Sequence, residues 1–424
     1  MYDIRWRSLQ RCPSSRRNPM TSDSINRTST PDRSGHRPEY ENVLVSLDGH
    51  TEGFVDFRPY MPTEWHERFE AARVHGKAVF NRAEQYFARL VEAGYDFSFE
   101  IESETGFDPE LYDLKLTPEE RIARIDADGV AAEFIIDGFG AITHDPALAH
   151  ETTLAFNRWF ADTYLRAAPE RFNAAVVVSL IAGIDTVVAE IEHAHQHGVV
   201  AIHMPGNPTA ADVTLPHYNH DLYEPIWRAL NERNMLMIFH ASVGREKPMW
   251  EMDDSQRANM AIEMLTVMRS HETAVAPLLL AGVPERYPNI RFGWIESGCA
   301  WLPSILDACD MHVHGMIDRP DRRLDMLPTE QWKASCFAAG PLGKADVAVR
   351  DRLGVETIMF GSDFIHVEGT YPNTRAKLTK VLADLSPDDR YAICTGNGAR
   401  LLNLNLDALA QTPAAQQAWS FAHP

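Results

Sequence analysis

From residue 43 onward the chain alternates short, mainly apolar runs with segments of helical periodicity. The apolar runs include β-branched or aromatic residues and end in Gly, Pro, His or acidic residues. They cover Val43–Leu47, Ala132–Ile136, Ala174–Leu180, Val199–Met204, Met235–Phe239, Ile290–Ile295 and Thr357–Phe360. Runs without polar alternation are typical of strands that are buried on both faces. The pattern therefore predicts a parallel sheet with right-handed crossover connections.

Helical patterns fill the spaces between these runs. One begins at Asp185, repeats apolar positions at helical spacing and stops at Gly198. Further helices are predicted over Leu222–Asn234, Thr379–Leu385 and Asp388–Leu402. The repeated units predict an α/β fold, a distorted (β/α)8 TIM barrel. A doubly wound open sheet is the alternative, but the first strand is not followed by a glycine-rich phosphate loop.

Other segments do not follow this pattern. Residues 54–117 and 244–275 are predicted insertions over the C-terminal face of the barrel, within a barrel domain of residues 41–405. Residues 406–424 are predicted to be a C-terminal tail. Residues 1–40 carry eight arginines, four acidic residues and no lysine, with almost no apolar period. Such a composition indicates a disordered or spurious tail; alternatively, Met20 is the true start.

The overall charge restricts the classes of partner. The chain has 424 residues and a formal net charge of −20, which argues against binding to nucleic acid or to an anionic membrane. Its longest apolar stretch, Ala174–Ile184, is too short to cross a bilayer. Its five cysteines form no C-x-x-C pair, so we do not expect a disulfide framework. Without disulfides, the expected location is the cytoplasm.

Polar residues cluster at the predicted strand ends. Asp48 and His50 end the first strand two residues apart, so both side chains point to the same side. The other candidates follow later strands: His203, His240, Glu296, Asp363 and, just beyond it, His366. Any one of these residues taken alone would usually be a cap or turn residue. Together they fall on the face where barrel enzymes carry their sites.

Two imidazoles and two carboxylates, from Asp48, His50, His240 and Asp363, suit Zn²⁺, Mn²⁺ or Fe²⁺. Buried groups of this kind are costly without an ion, which disfavours a non-catalytic barrel that only binds a ligand or partner. His203 has the alternative role of a hydrogen-bonding residue within its loop.

Several of these stretches resemble the amidohydrolase superfamily. They are similar to the amidohydrolase-related branch that includes aminocarboxymuconate semialdehyde decarboxylase. The most specific stretch is Phe360–Gly369, followed by Gly396 and Asn397. The others, in the same order along the chain, are Leu47–Glu52, Phe156–Trp159, Pro169–Phe172, Ile238–His240, Arg286–Phe292 and Glu296–Pro303. The resemblance covers most of residues 43–403.

The resemblance implies a metal centre with Asp48, His50, His240 and Asp363 as ligands. We expect one divalent ion, zinc first, with manganese or iron as alternatives. No lysine ends the strand at His203, which disfavours a bridged pair of ions, although Glu296 is a candidate ligand for a second ion. Glu296 also stands where the decarboxylase has its general-base histidine.

The function predicted first is metal-dependent hydrolysis of an ester, thioester, amide or similar bond of a small organic acid, by attack of an activated metal-bound water. In this mechanism Asp363 accepts the proton of the water, Glu296 orients the water or acts as acid and base, and His366 stabilises a developing oxyanion or orders its loop. The alternative is a non-oxidative, metal-dependent decarboxylase (carboxy-lyase) of an aromatic or enoic acid. The Glu296 replacement favours hydrolysis.

The expected partner is a small carboxylated or aromatic substrate, and we also allow for a homodimer. Candidate substrate contacts are Arg58, Arg245 and Trp301. The aromatic residues of the first insertion, Trp65, Phe69, Tyr86 and Phe87, are expected to form a lid or pocket wall, or else core.

The N-terminal segment yields the first prediction. A chain that begins at Arg37 is expected to match the full-length chain in melting temperature, metal content and turnover, because the removed segment cannot bury apolar surface. Thermal melts and activity assays of both chains test this. A drop of several degrees or a loss of metal would show that the segment belongs to the fold.

Overall fold

Eight parallel strands follow one another in chain order around a barrel in the computed structural model. They are β1 (Leu44–His50), β2 (Val130–Ile136), β3 (Phe172–Val177), β4 (Ala201–His203), β5 (Leu236–His240), β6 (Arg291–Ile295), β7 (Cys336–Gly340) and β8 (Ile358–Phe360). The structure describes residues 38–51, 55–77, 116–136, 143, 145–240, 262, 265–266, 269–313, 324–366 and 369–419.

The barrel closes where the chain beyond β8 meets the end of β1. Gly49 forms a parallel bridge with Phe364. The His50 amide donates to the Phe364 carbonyl over 2.6 Å, and the Asp363 amide donates to the Asp48 carbonyl over 2.8 Å. The (β/α)8 barrel prediction is therefore confirmed, and the open doubly wound sheet is excluded.

Successive residues along the strands belong to two different apolar layers. In β2, Phe134 and Ile136 pack in the layer that also holds Ile238 and Met359, each from a different strand. Ile135 packs instead in the layer shared with the surrounding helices. This burial on both faces explains why the strands read as continuous apolar runs.

Helices surround the barrel, and several begin with a well-formed cap. The N-cap of the first helix is Thr117. Its side chain accepts a hydrogen bond from the Glu120 amide, and the Glu120 side chain accepts one from the Thr117 amide. The helices are α1 (Pro118–Asp128), α2 (Pro146–Phe160), α3 (Ile184–Gln196), α4 (Pro208–Ala211), α5 (Glu224–Arg233), α6 (Val275–Leu280), α7 (Val283–Arg286), α8 (Leu302–Val313), α9 (Pro328–Ser335), α10 (Lys344–Ala348), α11 (Arg350–Leu353), α12 (Thr374–Val381), α13 (Pro387–Tyr391), α14 (Asn397–Leu401) and α15 (Leu406–Leu409).

The helix bounds predicted from the sequence differ most from those of the structure near the C-terminal end of the chain. The helix expected over Thr379–Leu385 lies earlier, at α12, where the Asp128 carboxylate accepts a 3.0 Å hydrogen bond from the amide of its first residue, Thr374. The helix expected over Asp388–Leu402 consists of α13, a π-helical turn at Ala392–Gly396, and α14.

Parts of the segments outside the strand–helix pattern contribute to the core. In the described part of the first insertion, Phe57 and Phe69 are buried. Residues 406–419, predicted as a tail, include α15 and bury Leu409 and Ala414 against the barrel layer. The part of the second insertion before residue 262 and the segment 1–37 lie outside the described residues. Within the part that is described, no helix combines the length and the apolar composition needed to span a bilayer.

Gly361 provides a test of how tightly the closing strands approach. A Cβ at this position would lie 2.4 Å from Asp48 Cβ and 2.8 Å from Gly340 Cα. Gly361→Ala is therefore expected to force the strands apart and to cost about 1–3 kcal/mol of unfolding free energy. Chemical denaturation checks this, and a variant with unchanged stability would show that the strands can separate at no cost.

Candidate metal centre

Six ionisable side chains converge at the carboxyl end of the barrel. Asp48 and His50 come from β1 and His240 from the end of β5, while Glu296 directly follows β6 and Asp363 and His366 follow β8. Five of the six are buried residues: Asp48, His50, His240, Glu296 and Asp363. The structure thus brings together every residue predicted for the site, although their roles as ligands and catalysts remain predictions.

The backbone is strained at two of these positions. Glu296 has φ +69° and Asp363 has φ +56°, in the left-handed region that costs a side-chain-bearing residue about 1–3 kcal/mol. Backbone hydrogen bonds hold both residues there. Glu296 donates its amide to the Ala339 carbonyl over 3.0 Å, and Asp363 donates to the Asp48 carbonyl. Strain maintained in this way is typical of functional sites.

The carboxylate oxygens lie close to the imidazole nitrogens. Asp363 Oδ1 lies 3.2 Å from His50 Nε2 and 2.9 Å from His366 Nδ1. His240 Nε2 lies 3.3 Å from Asp48 Oδ1 and 3.4 Å from Glu296 Oε2. These distances define two overlapping groups with metal-ligand chemistry: Asp48, His50 and His240; and His50, Glu296, Asp363 and His366.

The donor atoms fit a divalent ion. Among the described residues, Asp48 Oδ2 and both carboxylate oxygens of Asp363 are buried and lack a hydrogen bond of good geometry, a costly state without a cation. His50 Nδ1 lies 3.2 Å from the Ile136 carbonyl. This contact favours a proton on Nδ1 and leaves Nε2 as a ligand, the usual arrangement for a metal-binding histidine.

The charge state of Asp363 also suits a ligand. Burial alone would raise the pKa of its carboxyl, but the imidazoles of His366 and then His50 outweigh burial and hold that pKa well below its usual value. Asp363 is therefore a carboxylate throughout the physiological pH range. The ring of His366 stacks on that of His50, with centroids 4.1 Å apart, and brings its Nδ1 to 3.8 Å from Glu296 Oε1.

The other sequence candidates that the structure describes lie outside this cluster. Buried His203 has its ring centroid 5.6 Å from that of His240. Arg58 pairs with Asp56, with Nε 2.7 Å from Oδ1. The indole of Trp301 donates to the Gly298 carbonyl over 3.2 Å. Arg245, Tyr86 and Phe87 lie outside the described residues.

Sequence patterns missed two buried residues near the site. His271, in a 3₁₀ turn of the second insertion, is fully buried, and burial lowers its pKa to about 3. Its neighbours come from distant parts of the chain: its carbonyl accepts the indole N–H of Trp294 over 3.0 Å. The second residue, Arg121 on α1, contacts the backbone of His50. A charged position within a helical pattern gives no signal for such a contact.

The cluster yields a prediction on metal content. Full-length protein purified without chelators is expected to hold about one divalent transition ion per chain, on the basis of its ligand set. His240→Ala and Asp363→Ala should each abolish activity and lower metal content without unfolding the barrel. Activity assays, elemental analysis and circular dichroism measure the activity, the metal content and the fold of each variant.

His195→Ala is the matched control, because this histidine is exposed on α3. It should leave metal content and activity unchanged. Wild-type protein free of zinc, manganese, iron and cobalt, with activity unaffected by chelation, would refute the metal centre.

Comparison with solved structures identifies the same fold in an amidohydrolase and in decarboxylases. An amidohydrolase from Mycobacterium avium subsp. paratuberculosis K-10 is 18% identical, with 85% of this chain and 99% of that chain covered and a TM-score of 0.60. A 5-carboxyvanillate decarboxylase from Sphingomonas paucimobilis is 15% identical, with 86% and 99% covered and a TM-score of 0.60. A dihydroxybenzoic acid decarboxylase from Polaromonas sp. JS666, with bound manganese and the inhibitor 2-nitroresorcinol, is 14% identical, with 85% and 97% covered and a TM-score of 0.55.

No curated protein matches the sequence at a significant level. The sequence model of the amidohydrolase family, in contrast, matches residues 78–404, which is most of the chain. The matched range includes His240, Glu296, Asp363 and His366. The resemblance inferred from the strand-end residues is therefore confirmed, and the chain is an enzyme that belongs to the amidohydrolase family.

Proposed function

We propose that this enzyme is a metal-dependent, non-oxidative decarboxylase of a small aromatic or enoic acid. The similar structures include decarboxylases of 5-carboxyvanillate and of dihydroxybenzoic acid, and this supports the alternative from the sequence analysis better than the hydrolysis predicted first. The observation in this chain that carries the proposal is the contact of Glu296 and His366, 3.8 Å apart, beside the proposed ligands. Decarboxylation requires a proton donor beside the reacting carbon, and both side chains can serve as one.

Asp48, His50, His240 and Asp363 would hold the ion. When bound, a divalent ion supplies a Lewis acid that binds the substrate's oxygen atoms and stabilises negative charge at the reacting centre. The similar enzymes with a bound ion named contain manganese, so we propose manganese alongside zinc for this chain.

The reaction replaces the carbon–carboxylate bond with a carbon–hydrogen bond. The electron pair of the broken bond stays on the substrate carbon, CO₂ departs, and the carbon accepts a proton. Glu296 or His366, whose side chains lie 3.8 Å apart, delivers that proton and takes up another from solvent before the next turnover. Glu296 is itself buried, and a buried site restricts the access of water to the groups that react in it.

Hydrolysis remains the second candidate because of the position of Glu296. Its Oε2 lies 3.4 Å from His240 Nε2, where an anionic carboxylate could accept a proton from an attacking water. The two functions give different products. Manganese-loaded and zinc-loaded protein should therefore be screened in parallel for CO₂ release from hydroxylated benzoic and enoic acids and for acid release from esters and thioesters. Acid release without CO₂ release would reject the decarboxylase in favour of the hydrolase.

The role of Glu296 in proton transfer gives a prediction that applies to either function. Glu296→Gln keeps the size of the side chain but cannot transfer a proton, so turnover should fall on the order of 10²–10⁴-fold while the metal is retained. Glu170→Gln, at an exposed position, is the control and should be unaffected.

Metal analysis of the same variant separates the remaining roles. If wild-type protein holds two ions per chain and the variant holds half as many, Glu296 binds a second ion. Near-normal turnover with full metal would show that Glu296 is a structural residue, and the proton-transfer role would be wrong.

A further inference from the structure

We propose that Arg121, paired with Glu133, is a positioning residue for the metal centre. Its guanidinium fixes the end of β1, which carries His50, relative to the segment after β8, which carries Asp363. This inference rests on the proposed metal centre but not on the choice between decarboxylation and hydrolysis.

Arg121 is fully buried and contacts both segments. Its Nε donates to Glu133 Oε2 over 2.8 Å, and its Nη1 donates to the His50 carbonyl over 2.8 Å. The guanidinium carbon also lies 4.9 Å from the ring centroid of Phe364, the residue next to Asp363. One side chain therefore touches the backbone of one proposed ligand and the neighbour of another.

The chemistry of the pair favours positioning over stability. A buried ion pair is often no more stabilising than apolar residues of equal volume, so stability alone does not account for a fully buried Arg and Glu, each at 0% exposure. The planar guanidinium can hold two acceptors at fixed angles, which a lysine cannot. The two acceptors of Arg121 are the Glu133 carboxylate on β2 and the backbone carbonyl of His50. His50 is the residue that both groups of candidate ligands share.

A second buried arginine pair, at the amino end of β2, offers a matched comparison. Buried Arg171 pairs with Asp126 over 2.7 Å and donates to the carbonyls of Ala131 and Val130. These carbonyls belong to the amino end of β2, away from the ligands. Arg171 has the same chemistry as Arg121 and is also buried, at 5% exposure, and among the described residues its side-chain hydrogen bonds do not reach the segments that carry the site.

The test replaces each pair with apolar residues of similar volume in the full-length protein. The Arg121→Met, Glu133→Leu variant removes the hydrogen bond to His50 without leaving a buried charge unpaired, and Arg171→Met, Asp126→Leu is its control. The metal-free melting temperature reports the fold. The dissociation constant for Mn²⁺, measured from the EPR signal of the free ion, reports the site.

We expect the Arg121 double variant to bind Mn²⁺ about 10–100-fold more weakly, the usual loss for residues that orient metal ligands. The control double variant should stay within about twofold of wild type, because its contacts do not reach the site. If the Arg121 double variant does not fold, Arg121→Lys replaces it, with the same expected direction because one ammonium cannot serve both acceptors.

Two results would overturn the inference: Mn²⁺ affinity of the Arg121 variant within about twofold of wild type, or equal weakening in the control. Either result leaves the proposed function intact. Wild-type protein that binds neither Mn²⁺ nor Zn²⁺ would refute the metal centre itself, and the inference with it.

Discussion

The seam between the end of β1 and the segment after β8 is the contact on which the site depends. Two backbone hydrogen bonds, from Asp363 to the Asp48 carbonyl and from His50 to the Phe364 carbonyl, join the first and last parts of the barrel. They bring residues more than 300 positions apart in sequence into one cluster. Without closure, the carboxylate of Asp363 would not meet the imidazole of His50, 3.2 Å away.

The electrostatics of the cluster favour a bound cation. The carboxylates of Asp48, Glu296 and Asp363 are buried at one place, and burying negative charge without a cation nearby is costly. The hydrogen bond between His50 and the Ile136 carbonyl leaves a ring nitrogen pointing toward these carboxylates. A divalent ion would offset the charge and use the donor atoms that lack hydrogen bonds.

The sequence predicted the barrel and the converging residues because both depend on local patterns. Continuous apolar runs mark doubly buried strands, and Asp48 and His50 share a side because of their spacing. β7 was missed because its residues, Cys336–Gly340, are mostly small and lack β-branched side chains. At Gly340 the absence of a side chain has a structural reason, because a Cβ at this position would lie 3.0 Å from the Glu296 amide.

Features formed by contacts between distant segments could not be predicted. The bond from Arg121 to the His50 carbonyl joins residues 71 positions apart, and the burial of His271 depends on packing around a loop. The preference for hydrolysis rested on one residue, Glu296, whose identity does not define the direction of proton transfer. Its contact with His366 is visible only in three dimensions.

The central claim is that Asp48, His50 and Asp363 at the barrel seam, together with His240 from β5, bind one divalent ion. Anomalous diffraction from crystals of the full-length protein grown with Mn²⁺ tests it most directly. The account predicts one strong anomalous peak per chain, at bonding distance from Asp48, His50, His240 and Asp363. No peak at this position in Mn²⁺-replete crystals, or a peak bound by other residues, would contradict it.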